Sequence, residues 1–125
     1  MKTIAIIGLG YVGLPLALQF SRSGATVIGV DIDPAKVDAL TQGRSYIKHI
    51  TPESIREQFV SGHLTATTDF AAIERADAVI ICVPTPLNKN REPDISFIVK
   101  TGKALAPHLR PGVLVALESS TYPGT

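Results

Sequence analysis

A glycine-punctuated segment, Gly8-Leu9-Gly10-Tyr11-Val12-Gly13, follows directly on the apolar, β-branched run Thr3–Ile7 and opens a stretch with helical spacing of apolar residues. No other feature of the chain narrows its possible folds as much. The G-x-G-x-x-G spacing is informative because it stands between a strand-like and a helix-like segment. In that setting the first glycine permits a tight turn, the second lets a diphosphate approach the backbone, and the third allows close packing of helix on strand. Phosphate oxygens would then meet N–H groups at the start of a helix, where the helix dipole also favours negative charge. Gly8, Gly10, Tyr11, Val12 and Gly13 are therefore candidate dinucleotide contacts. Taken alone, the glycines would equally serve a plain strand-to-helix connection, so a second feature has to decide.

That feature is Asp31, which ends the second β-branched run, Thr26–Val30, 18 residues after Gly13. An acidic side chain there accepts hydrogen bonds from the adenosine ribose and repels a 2′-phosphate, and the following Ile32-Asp33 provides no arginine to receive one. NAD is the expected cofactor. Lys36 reads either as a contact to the adenosine or phosphate edge or as a solvated charge. Asp33, followed by Pro34, reads as a helix N-cap.

Further strand-like runs lie at Ala78–Val83 and Val113–Leu117, with a weaker one at Leu64–Thr67. None alternates strictly with polar residues, the pattern of strands covered on both faces. Helical spacing links Val12, Leu16, Ala17 and Phe20 up to a stop at Gly24, and Ile95, Ile98, Val99 and Leu105 up to Pro107. Thr51-Pro52 and Thr68-Asp69 offer further helix starts. This alternation predicts an α/β, Rossmann-type doubly wound parallel sheet of about five strands in 3-2-1-4-5 order, with helices on both faces. In that order the ligand crevice opens between the first and fourth strands. Two segments would flank its nicotinamide half. One is Val83-Pro84-Thr85-Pro86-Leu87-Asn88, in which prolines stiffen the backbone around Thr85; the other is the hydroxyl-rich turn Glu118–Gly124, which carries Thr121. From spacing alone both also read as ordinary turn chemistry.

Charge and composition exclude more than they assign. Twelve Lys+Arg against eleven Asp+Glu leave a formal charge of +1 without long runs of either sign, so no nucleic-acid partner is expected. The apolar run Ile4–Ile7 is far shorter than the roughly 20 residues of a membrane span, so no membrane partner is expected either. The single cysteine, Cys82, excludes an internal disulfide framework and suits a reducing compartment, with the cytoplasm as the default. It lies inside an apolar run and reads as inert core. His49, His63 and His108 show no ligand spacing and read as surface residues. No Ser-His-Asp order, H-E-x-x-H or P-loop occurs, so no catalytic residue and no metal ligand are expected among these residues.

Taken together, Gly8–Ala17, Val30-Asp31-Ile32-Asp33 with Lys36-Val37, Val83-Pro84-Thr85-Pro86 and Ser120-Thr121-Tyr122-Pro123-Gly124-Thr125 resemble the N-terminal domain of the UDP-glucose/GDP-mannose dehydrogenases, over the whole chain. Ser45-Tyr46-Ile47, Cys82–Leu87, Arg91-Glu92-Pro93-Asp94 and Glu118–Thr125 look most like the UDP-N-acetylglucosamine 6-dehydrogenase branch. The resemblance implies oxidation of a sugar C6 alcohol to a carboxylate in two NAD-dependent hydride transfers, by way of a cysteine-linked thiohemiacetal and thioester. It puts the catalytic groups in segments that would follow position 125, so residues 1–125 read as an NAD-binding domain ending before a linking helix and a sugar-binding domain. By itself this chain is expected to be inactive and to meet a UDP-sugar only together with that downstream half, in a homo-oligomeric full-length protein. The resemblance implies cofactor contacts at the 8–13 turn with Tyr11 and Val12, at Asp31 and Lys36 on the adenosine side, and at Thr85 and Thr121 near the nicotinamide ribose. UDP-glucose, GDP-mannose and UDP-N-acetylmannosamine are alternative substrates, and a stand-alone NAD-binding regulatory module is the alternative role.

Overall fold

A computed structural model of the chain describes residues 3–10, 12–47, 50–84, 96–109 and 112–120. The elements run β1 (Thr3–Ile7), α1 (Gly13–Arg22), β2 (Thr26–Val30), α2 (Pro34–Thr41), α3 (Pro52–Val60), β3 (Leu64–Thr67), a 3-10 turn (Phe70–Arg75), β4 (Ala78–Pro84), α4 (Ser96–Leu105), a second 3-10 turn (Ala106–His108) and β5 (Leu114–Ser120). All strand pairs are parallel, in the order β3-β2-β1-β4-β5. The doubly wound sheet expected from the sequence is the one observed.

Side-chain alternation along the central strands feeds two separate cores. Ile6, Val27 and Cys82 face one side, where they pack with Leu14, Ala17 and Leu18 of α1, Leu40 of α2 and Ile55 of α3. Ala5, Ile7, Ile28, Val30, Val79 and Ile81 face the other, against Ile73 of the first 3-10 turn and Leu105 of α4. Asp33 caps α2 by accepting the Ala35 N–H at 2.9 Å, and Thr51 caps α3 by accepting the Ser54 N–H at 3.2 Å, both ahead of a proline in the first turn. Asp69 does the same at 2.9 Å for a segment that closes as a 3-10 turn instead of an α-helix.

Three details differ from the sequence reading. The buried stripe of α1 is Gly13, Leu14, Ala17, Leu18 and Ser21, while Val12, Leu16 and Phe20 are only partly covered. The rotation follows from Gly13, the one residue small enough to lie against the backbone of the preceding turn. β5 extends to Ser120, so Glu118, Ser119 and Ser120 belong to a strand paired with Cys82, Val83 and Pro84 and not to a turn. Backbone pairing to a long β4 carries these polar residues into the sheet. Finally, β5 is not covered on both faces at its start: Leu114 is 68% and Val115 44% exposed, and β5 forms the sheet edge.

Candidate functional site

Parallel pairing brings the ends of β1, β2 and β4 to one edge. Ile7 pairs with Val30 on one side and Ile81 on the other, so Gly8 and Asp31 emerge at the same level while β4 continues three residues further, to Pro84. The chain reverses its direction of travel across the sheet between β1 and β4, which is where open α/β sheets bind ligands.

The three glycines of the turn do different work. Gly8 adopts φ +94°, a left-handed conformation that favours glycine, and its N–H donates to the Val30 carbonyl at 2.7 Å. Gly13 has no room for a side chain: a Cβ there would overlap the Gly8 carbonyl oxygen and lie 2.8 Å from the Gly8 carbonyl carbon. Gly10 is the opposite case, since a Cβ built on it meets nothing within 4 Å among the described residues. Its carbonyl accepts the Leu14 N–H at 3.1 Å, while the Val12 carbonyl accepts from Leu16 at 3.3 Å. Among the described residues nothing accepts from the N–H groups of Gly10, Val12 or Gly13, and Val12, the N-cap of α1, offers no side-chain cap. Open space over Gly10 and donors without acceptors at a helix start together form a cradle suited to an anion.

Asp31 lies at the end of β2, only 7% exposed. Its Oδ2 accepts the Leu9 N–H at 2.8 Å and its Oδ1 the Asp33 N–H at 2.9 Å. The side chain expected to meet a ribose therefore also fixes the glycine turn, a duty that residue type and spacing do not disclose. Carboxylate oxygens accept more than one hydrogen bond each, so both tasks are compatible. Lys36, in the first turn of α2, is half-exposed and forms no ion pair among the described residues. Tyr11, Thr85 and Thr121 lie outside the described residues.

Three residues were missed by sequence reasoning. Ile32, next to Asp31, is 56% exposed at the same edge, an apolar surface beside the acid. Leu9 is buried, and its side chain fills the space left by Gly29 of β2, where an added Cβ would come within 2.9 Å of Leu9 Cδ2. Tyr46, half-buried in the segment between α2 and α3, donates its hydroxyl to the Leu9 carbonyl. Burial, reinforced by the negative charges of Asp31 and Asp33, pushes the Tyr46 phenol well above its ordinary pKa, so it stays a donor.

Cys82 is buried beneath this edge, with its Cβ 3.3 Å from where a Gly13 Cβ would be. His108 is not simply a solvated surface residue, for its Nδ1 lies 2.7 Å from Glu74 Oε2. Among the described residues no group of three or more His, Cys, Asp and Glu could hold a metal ion, and no helix is long and apolar enough to cross a membrane.

A doubly wound sheet with an anion cradle after β1 and an acid after β2 defines a dinucleotide-binding domain of Rossmann type. More narrowly, residues 2–125 match the model of the UDP-glucose/GDP-mannose dehydrogenase family, NAD binding domain, and the chain belongs to that family. The NDP-N-acetyl-D-galactosaminuronic acid dehydrogenase of Ralstonia nicotianae is 43% identical over 98% of this chain and 29% of the relative. The UDP-N-acetyl-D-glucosamine 6-dehydrogenase of Pseudomonas aeruginosa is 33% identical over 97% of this chain and 28% of its own length. Among solved structures, the UDP-D-ManNAc dehydrogenase of Pyrococcus horikoshii superposes with a TM-score of 0.89 at 33% identity, covering 98% of this chain and 29% of that one. The chain thus spans under a third of the length of these relatives.

Proposed function

We propose that this chain is the cofactor-binding part of an NAD-dependent nucleotide-sugar 6-dehydrogenase whose substrate is a UDP-N-acetylhexosamine. The observation that carries the cofactor site is the cradle of open space at Gly10 and of N–H groups at Gly10, Val12 and Gly13 that have no acceptor among the described residues. These residues hold the diphosphate. Asp31 accepts from the adenosine ribose, Ile32 offers the adenine an apolar face, and Lys36 supports the adenosine or phosphate edge. Tyr11, Thr85 and Thr121 complete the contacts, the two threonines beside the nicotinamide ribose. NAD supplies the hydride acceptor, while this domain orients it. Sugar recognition and the reacting thiol belong to parts of the longer protein beyond residues 1–125, which is a homo-oligomer acting in the cytoplasm. The single buried cysteine suits that reducing compartment.

Calorimetry on this chain tests the cofactor assignment. NAD is expected to bind and NADP to bind at least about tenfold more weakly, because the buried Asp31 carboxylate faces the added phosphate. Equal or tighter NADP binding removes Asp31 from its role. Asp31→Ala should weaken NAD by about 1–3 kcal/mol, the scale of lost charge-assisted hydrogen bonds. It should also lower the melting temperature, since two backbone N–H groups lose their acceptor.

Support for the sugar class comes from the names of the three relatives given above, each of which carries an N-acetylated sugar, N-acetylglucosamine among them. The full-length protein should therefore reduce NAD with at least one UDP-N-acetylhexosamine at a kcat/KM about tenfold or more above UDP-glucose and GDP-mannose. A preference for either of the latter would overturn that class.

A further inference from the structure

We infer that Tyr46 is a positioning residue for the diphosphate: its hydroxyl, bonded to the Leu9 carbonyl, turns and polarises the Leu9–Gly10 peptide so that the Gly10 N–H faces the cofactor. The inference rests on the cofactor site proposed above and goes beyond it, because Tyr46 belongs to neither the glycine motif nor the sheet edge.

The geometry follows from two successive peptide planes. A trans peptide holds its C=O and N–H in opposite directions, and the chain contains no cis peptide among its described residues. In the Gly8–Leu9 peptide the N–H is fixed by Asp31 Oδ2 at 2.8 Å. Its carbonyl accordingly points the other way, into the place a Gly13 Cβ would need. In the Leu9–Gly10 peptide the carbonyl is fixed by the Tyr46 hydroxyl. The Gly10 N–H is therefore directed away from Tyr46, and among the described residues it has no acceptor. Among the described residues nothing lies within 4 Å of a Cβ built on Gly10, so the backbone here adjoins open space.

Two side chains thus lock consecutive peptides, and only one of them was expected to act at this site. Tyr46 is itself held, since the adjacent Ile47 is buried with Leu9 in one core cluster and Ser45 Oγ donates to the Ile47 carbonyl at 2.8 Å. Hydrogen bonding at a carbonyl strengthens the donor at the other end of the same peptide. The raised pKa of the phenol keeps this donor protonated throughout the neutral range.

The test compares Tyr46→Phe with the wild-type chain, using ADP-ribose, which carries the diphosphate, and adenosine, which lacks it. Calorimetry for the first and ligand-observed NMR for the second give the affinities. ADP-ribose affinity should fall by about tenfold, equivalent to about 1.4 kcal/mol, and adenosine affinity should change by less than about twofold. A role confined to packing would lower the melting temperature without separating the two ligands. A parallel loss for both, or no loss for either, overturns the inference while leaving the cofactor site standing. Failure of the wild-type chain to bind ADP-ribose at all overturns both. A second measurement does not depend on whether the variant folds. In the wild-type chain the Gly10 amide proton should move downfield on titration with ADP-ribose and stay in place with adenosine. An unmoved Gly10 resonance with bound ADP-ribose overturns the inference.

Discussion

Gly10→Val is expected to leave the domain folded and to reduce NAD affinity by more than about a hundredfold, an outcome read by calorimetry beside a thermal melt. Both halves of the expectation come from the same position. The backbone of Gly10 lies outside the left-handed region, so a side chain there meets no left-handed strain. Neither does it meet a neighbour among the described residues, because a Cβ at that site has nothing within 4 Å there. Stability should therefore stay within about 0.5 kcal/mol of wild type, as for a surface substitution away from special features. On the proposed cofactor site that space is nevertheless where the diphosphate comes to reach the N–H groups of Gly10, Val12 and Gly13, and isopropyl bulk would exclude it. Normal NAD binding by a folded Gly10→Val protein would show that the phosphates lie elsewhere.

Gly8 and Gly13 were legible in the sequence as a tight strand-to-helix turn because each answers a local demand that few residues meet. A left-handed φ at Gly8 and a close backbone approach at Gly13 leave marks in residue type and spacing. The sheet order was legible for a similar reason, since alternating strand and helix with right-handed crossovers leaves few topologies. Tyr46 was not. It stands 37 residues from Leu9, in a segment without periodicity, and its partner is a backbone carbonyl that any residue would supply. The hold of Asp31 on the glycine turn was hidden likewise, because its oxygens accept from backbone donors at Leu9 and Asp33. The length of β5 was misread because Glu118, Ser119 and Ser120 are polar; what extends the strand is backbone pairing with β4. The rotation of α1 was misread because apolar periodicity allows several orientations of the stripe, and contact between Gly13 and Gly8 chooses one.

That contact carries the largest expected loss of stability in the chain. Gly13→Ala should cost more than about 3 kcal/mol, the upper end of ordinary overpacking, and lower the melting temperature by more than about ten degrees. The added methyl would overlap the Gly8 carbonyl oxygen, which belongs to backbone and cannot swing aside as the end of a flexible side chain would. Relief requires either lifting α1 from β1 or turning the Gly8–Leu9 peptide. Lifting the helix opens the core formed by Leu14, Ala17 and Leu18 against Ile6 and Cys82. Turning the peptide withdraws the Leu9 N–H from Asp31 and leaves a carboxylate that is only 7% exposed without one of its two donors. Either route also disperses the N–H groups at the start of α1, so NAD affinity should fall together with the melting temperature. Gly10→Ala, one turn of backbone away, should move neither the melt nor the fold. A Gly13→Ala protein that melts within about two degrees of wild type would mean that helix and strand do not approach as closely as this fold requires.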